Sequence, residues 1–145
     1  GLEGWFRHLA YEHGDRLAVH IGYDDALAHR IYAGSDAVLV PSRFEPCGLT
    51  QLIAMRYGTI PIVNATGGLR DTVTDPGNEG LARGHGTGFR FGAASVDALR
   101  HAVGRASHLF SNDPEGWTRL RAAAMARDSS WTASARQYLE LYRSL

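Results

Sequence analysis

Lysine is absent: the 145 residues include 15 basic side chains, and every one is arginine. No step that needs a lysine amine can run on this chain alone, whether as a nucleophile or as a phosphate-neutralising charge. Charge of one sign is not in excess either, because 15 acidic residues bring the formal net charge to zero. A dedicated nucleic-acid domain usually carries a basic excess on one face, so that class is set aside, while small anionic ligands stay open. The single cysteine, Cys47, permits no intrachain disulfide and leaves too few thiols for a structural zinc site, which points to a reducing compartment. Long apolar runs are missing as well. Nothing approaches the roughly 20 residues that cross a bilayer, and no secretory leader pattern opens the chain. The sequence starts at Gly1 within what reads as a helix through Trp5–Tyr11, without an initiator Met, and so reads as the tail of something longer.

What is present is one domain's worth of chain with 44% hydrophobic residues, enough for a core. From Leu17 to Val63 short apolar runs alternate with amphipathic stretches: Leu17–Ile21, then Asp24–Ala33, Ala37–Val40, Gly48–Tyr57 and Ile60–Val63. This is a β-α-β-α-β rhythm. The apolar runs are mostly continuous, as parallel strands covered on both faces require. The first amphipathic stretch opens on Asp24 and Asp25 and closes on Gly34; the second places Leu49, Leu52 and Ile53 on one face and stops at Gly58. Crossovers this short are expected to be right-handed. A glycine-rich, turn-rich stretch follows from Asn64 to Gly92, with one short strand predicted at Gly88–Phe91. The rest reads as helix. Val96, Leu99, Val103 and Ala106 share one face, while Trp131, Ala135, Tyr138, Leu139 and Tyr142 share another behind a Ser130 N-cap, the pattern of core or interface packing.

Ligands of open parallel sheets bind beyond the carboxyl ends of the strands, where loops splay apart and helix N-termini point inward. Three loops qualify: Gly22–Asp24, Ser42–Gly48 and Asn64–Gly68. In the second, Glu45 stands three residues before Gly48, at the start of a predicted helix whose free N–H groups suit phosphate oxygens. Gly48 lets a diphosphate approach, and Thr50 can add a hydroxyl. A carboxylate repels phosphate, so Glu45 either holds a neutral, hydroxyl-rich group such as a sugar beside the phosphates or merely caps its own helix. Thr66-Gly67-Gly68 either brings backbone amides to a ligand or is only a turn. Tyr23 either stacks on a planar base or packs. Arg43 and Arg70 are anion-binding candidates or structural partners of nearby carboxylates. The run Gly84–Gly88 precedes a strand instead of following one and reads as a flexible connection. None of the seven histidines has metal-ligand or triad spacing, and most are expected at the surface or in packing.

The string Pro41-Ser42-Arg43-Phe44-Glu45-Pro46-Cys47-Gly48-Leu49-Thr50-Gln51-Leu52, followed by Tyr57–Val63 and Thr66–Val73, closely resembles the C-terminal nucleotide-binding domain of bacterial glycogen synthases and plant starch synthases. The likeness extends upstream to Ile21-Gly22-Tyr23 and downstream to Ser130-Trp131 and Tyr138–Tyr142, nearly the whole chain. It implies an α/β fold: a partial Rossmann-like, doubly wound parallel sheet of a GT-B glycosyltransferase, followed by C-terminal helices. On this resemblance residues 1–145 are part of the C-terminal nucleotide-sugar-binding domain, without its first half or the N-terminal acceptor domain. The implied activity is retaining transfer of glucose from ADP-glucose to the non-reducing end of an α-1,4-glucan, with no cofactor, metal, nucleic-acid partner or membrane. Its implied setting is the cytoplasm of a bacterium, or the plastid of a plant. By position, Glu45 resembles the catalytic glutamate that holds the donor glucose hydroxyls, with Cys47 and Gly48 lining the sugar pocket through their backbone. Leu49 and Thr50 resemble the diphosphate-binding residues, Tyr23 the aromatic residue that stacks on adenine, and Thr66, Gly67 and Gly68 a loop bordering the donor.

Related transferases with a Glu-x7-Glu pattern carry a second glutamate near the ribose; here that position is Ile53, which favours the synthase branch. The family's Arg and Lys that neutralise the leaving diphosphate lie upstream of the matched segment. The chain by itself is therefore expected to bind ADP weakly and to be catalytically incompetent, with an open sheet edge and an apolar face. A non-catalytic nucleotide-binding module and a transferase using another sugar nucleotide are the competing readings.

Overall fold

The structure, a computed structural model, describes residues 1–77, 80 and 85–145. Among them it holds three strands, β1 (Ala37–Val40), β2 (Ile60–Asn64) and β3 (Phe89–Phe91). The seven helices are α1 (Leu2–Glu12), α2 (Asp25–Gly34), α3 (Thr50–Tyr57), α4 (Gly67–Thr72), α5 (Val96–Asn112), α6 (Pro114–Ala126) and α7 (Trp131–Arg143). The strands form one parallel sheet in the order β1-β2-β3, with Ala37 opposite Ile60 and Ile62 opposite Phe89.

The continuous apolar run of β2 is explained by its position. Every residue of the strand is buried, because it is central and covered on both faces. Ile60 and Ile62 look toward α3, α5 and α6, in a cluster with Met55, Phe89, Phe91, Ala102, Ala106, Leu109, Trp117 and Leu120. Val63 looks the other way, toward Val40, Leu69 and Val73. Gly58 ends α3 in the left-handed region at φ 80°, where a glycine costs no Cβ clash, and returns its N–H to Ala54 and Met55. The Thr59 hydroxyl, fully buried, then lies against the Ser35 carbonyl at 2.9 Å and ties the entry of β2 to the end of α2.

The structure departs from the sequence expectation at two places and narrows it at a third. Leu17–Ile21 is not a strand: its residues alternate half-buried and exposed as a strand's do, but the segment pairs with no strand among the described residues, and a parallel strand exists only when paired. The buried face of α5 is Ala102, Ala106 and Leu109, whereas Val96 and Val103 are exposed, so the face is rotated from the predicted one. The aromatic stripe of α7, read as core or interface packing, is not core: Trp131 is 89% exposed and no residue of that helix is buried, which leaves only its interface alternative. Within the turn-rich stretch the chain forms the short helix α4, while Gly84 of the predicted flexible connection lies outside the described residues. Six of the seven histidines are exposed and His29 is half-buried, as expected. No helix among the described residues is long and apolar enough to cross a membrane.

One charged residue organises the far end of the sheet. Asp75 accepts two hydrogen bonds from the Arg105 guanidinium, at 2.6 and 3.0 Å, and others from the backbone N–H groups of Arg90 and Gly77. Arg105 in turn covers the face of Phe89 at 5.2 Å from the ring centroid. Burial pushes the Asp75 carboxyl up, but Arg105 and the two amides outweigh it and hold the group below its ordinary 3.8. A depressed native pKa stabilises the fold above the unfolded value, and that stability is lost as pH falls through the native pKa. Asp75→Asn should therefore cost about 2 kcal/mol at neutral pH and flatten the acid limb of the stability curve below about pH 4. Denaturant midpoints measured from pH 3 to pH 7 check both effects.

Candidate functional site

The carboxyl ends of β1 and β2 feed two loops that meet. After β1 the chain runs through Pro41–Leu49 into α3; after β2 it turns at Ala65-Thr66 into α4. The buried amide of Asn64, the last residue of β2, donates to the Ser42 carbonyl at 2.8 Å. The Ser42 hydroxyl donates to Glu45 Oε2 at 3.3 Å. Glu45 is half-buried.

This arrangement removes one of the two sequence readings of Glu45, the helix cap. The N-cap of α3 is Leu49, which makes no side-chain cap, and the Glu45 carboxylate accepts from Ser42 rather than from any α3 amide. Glu45 is not a helix cap. The first turn of α3 keeps free N–H groups and the positive end of the helix dipole, with Thr50 half-buried at its start and Leu49 exposed. A hydroxyl-accepting carboxylate thus stands beside a helix start that favours anions.

The second loop sits against the first backbone to backbone. Gly68 N–H donates to the Glu45 carbonyl at 3.1 Å. A Cβ on Gly67, whose φ is +42°, would overlap that same carbonyl, and a Cβ on Gly68 would overlap the carbonyl of Cys47. The Gly-Gly pair is therefore more than a turn: no side chain fits between the loops. Gly68's amide serves the Glu45 loop, while Thr66, the half-buried N-cap of α4, makes no side-chain cap. Gly48 has φ +76°, and Cys47 is exposed with a free thiol.

Tyr23 is 94% exposed, which removes the packing alternative for it within this chain. It precedes α2, whose N-cap Asp24 accepts from Leu27 N–H at 2.9 Å. No hydrogen bond or aromatic contact among the described residues joins Tyr23 to the Glu45 loop, so its part in the site rests on position alone. Arg70 donates Nε and Nη2 to the Ala65 carbonyl at 3.0 and 2.9 Å, a structural role; Arg43 is exposed.

Two residues escaped the sequence reading. Gln51 is fully buried, and its Nε2 donates to the Gly48 carbonyl at 2.8 Å and to Thr72 Oγ1 at 2.9 Å, with the Cys47 carbonyl at 3.3 Å. Asn64 is the other. Their signals were present: Gln51 lies one helical turn before Ala54 and Met55 on the buried face of α3, and Asn64 ends an otherwise apolar strand. A polar group at such a position needs a partner.

The family model for group 1 glycosyl transferases matches residues 5–113. The chain belongs to this family. Its similarity to curated group 1 relatives runs almost end to end: it is 50% identical over 144 residues to a glycogen synthase of Haemophilus influenzae (strain PittEE), covering 99% of this chain and 30% of that protein. Against a glycogen synthase of Burkholderia thailandensis the identity is 53% over 144 residues, 99% of this chain and 27% of that protein. Among solved structures, the catalytic domain of starch synthase IV from Arabidopsis thaliana, bound to ADP and acarbose, superposes with a TM-score of 0.83 at 42% identity, covering 97% of this chain and 29% of that one. The chain spans under a third of each of these relatives. It has the predicted α/β class, with a parallel sheet and closing helices.

Because the two loops meet without side chains, Gly67→Ala and Gly68→Ala should each force them apart. Each is expected to cost at least about 2 kcal/mol of stability, whereas the exposed control Gly104→Ala, inside α5, should stabilise by about 0.5–1 kcal/mol. Chemical denaturation of the variants checks this.

Proposed function

We propose that this chain is the donor-binding part of a retaining glucosyltransferase that moves glucose from ADP-glucose to the non-reducing end of an α-1,4-glucan, in the cytoplasm if the source is bacterial. The observation that carries the reading is the placement of Glu45: a carboxylate held by Ser42, not used as a cap, beside the uncapped start of α3. A sugar diphosphate presents neutral hydroxyls and an anion a few ångströms apart, and this site offers an acceptor for the first and amide donors for the second. The names of the relatives, glycogen synthase and starch synthase IV bound to ADP, support glucose and adenosine diphosphate as the pieces recognised.

In this reading Glu45 receives the hydroxyl protons of the donor glucose and fixes the ring, with Cys47 and Gly48 lining the sugar through their backbone. The N–H groups at Leu49 and Thr50 meet the diphosphate, where negative charge grows as the bond to the anomeric carbon breaks. Tyr23 stacks on the adenine, and Thr66-Gly67-Gly68 closes the border. The chemistry is positioning and charge stabilisation, and it calls for no metal or organic cofactor. Residues 1–145 are then part of the C-terminal nucleotide-sugar-binding domain. The acceptor domain, and the cations that neutralise the diphosphate, belong to the remaining two thirds of the transferase; this chain has no lysine to contribute.

In the complete transferase, Glu45→Ala should lower kcat at least about a hundredfold while ADP affinity changes less than about threefold. Glucan-elongation kinetics with calorimetry of ADP binding check this, and retained activity would remove Glu45 from its role. Cys47→Ser should be milder, within about threefold of wild type, because the backbone and not the thiol lines the pocket. For the donor, ADP should bind in preference to UDP and GDP; the reverse order would refute the assignment.

A further inference from the structure

Gln51 takes no part in the contacts proposed above, yet it is the most deeply buried polar side chain behind them, and its carbonyl oxygen Oε1 has no hydrogen-bond partner. An orphaned buried acceptor is a standing cost that an apolar side chain of the same shape avoids. What an apolar residue lacks is the Nε2 donor, and that donor reaches the carbonyls of Gly48 and Cys47 together with Thr72 Oγ1. The direction of these bonds matters. In a trans peptide the N–H points opposite to its C=O. Drawing the Cys47 carbonyl inward turns the Gly48 N–H outward, and drawing the Gly48 carbonyl inward does the same for the Leu49 N–H. Neither amide donates to any acceptor among the described residues. Gly48 has room for this only as glycine, since a Cβ there would meet Gln51 Oε1 at 2.6 Å.

The third bond extends the hold to the other loop. The Thr72 hydroxyl, accepting from Gln51, donates onward to the Gly68 carbonyl at 2.5 Å, and the Gly68 N–H donates to the Glu45 carbonyl at 3.1 Å. We propose that Gln51 is a positioning residue for group transfer. From inside α3 it aims the Gly48 amide at the donor sugar and the Leu49 amide at the diphosphate and, through Thr72 and Gly68, keeps them in register with Glu45. This rests on the donor-site reading above and adds to it the residue that sets the site's geometry.

The test uses the complete transferase with Gln51→Met, which keeps the shape and removes the donor, and with Thr72→Val beside Thr72→Ser. Amides aimed at a leaving group matter most where its charge is greatest. Gln51→Met should therefore lower kcat roughly 10- to 100-fold, with ADP affinity falling less than about fivefold and the unfolding midpoint staying above the assay temperature. Thr72→Val should reproduce part of the kcat loss, and Thr72→Ser, which restores the hydroxyl, should return it to within about twofold of wild type. A folded Gln51→Met enzyme with wild-type kcat overturns the proposal. So does a loss that tracks thermal stability and disappears at a lower assay temperature, the mark of a residue that only holds the fold. If Gln51→Met does not fold, the Thr72 pair decides, and equal kcat for Val and Ser overturns the proposal. Wild type is assayed in parallel with ADP-glucose and UDP-glucose. Transfer from UDP-glucose alone removes the ADP-glucose reading and leaves Gln51 to be judged by kcat on UDP-glucose; transfer from neither overturns both.

Discussion

The loop after β1 and the loop after β2 touch backbone to backbone, with the Gly68 amide on the Glu45 carbonyl and no room for a Cβ at Gly67 or Gly68. Main-chain contacts of this kind have little freedom to rearrange, because neither surface carries a side chain that can change rotamer. The separation of the two loops is therefore set by van der Waals contact, and so is the position of Glu45 relative to the start of α3. The polar bonds around it, Asn64 to Ser42, Ser42 to Glu45 and Gln51 to Thr72, refine a distance that the glycines have already fixed.

That contact depends on the sheet beneath it. β1 and β2 are parallel neighbours in register from Ala37 opposite Ile60 to Val40 opposite Val63, so their carboxyl ends finish side by side and deliver both loops to one edge. Burial of β2 on both faces holds the register, since a slip would exchange the two sets of contacts made by Ile60, Ile62 and Val63. The Asp75–Arg105 pair fastens the chain leaving α4 to α5 and, through the Arg90 N–H, to β3. The face of α7 is left exposed and the edge strand β1 half-exposed, and the chain spans about 30% of a glycogen synthase of Haemophilus influenzae.

Where local pattern and packing agree, the sequence was legible. The runs Ala37–Val40 and Ile60–Val63 and the helix stopping at Gly58 came through nearly to the residue, because each is fixed by hydrophobicity and a terminating glycine. Leu17–Ile21 has the same composition and is not a strand, because ladder bonds need a partner that a run of residues does not disclose. The α7 stripe was legible as amphipathic but not as exposed, since periodicity reports a face and not what covers it.

The sequence by itself determined the class of fold and the family, because apolar periodicity and a long motif string are properties of residue order. It also named Glu45 without being able to say whether the carboxylate capped a helix or faced a ligand. Only the tertiary structure removed the cap, by giving the carboxylate to the Ser42 hydroxyl and leaving α3 without a side-chain cap. It alone showed why Gly67, Gly68, Gln51 and Thr72 belong to one assembly, for their contacts join residues as far apart as Glu45 and Gly68 in the chain. Such contacts arise from chain crossing in space, which local propensity does not encode.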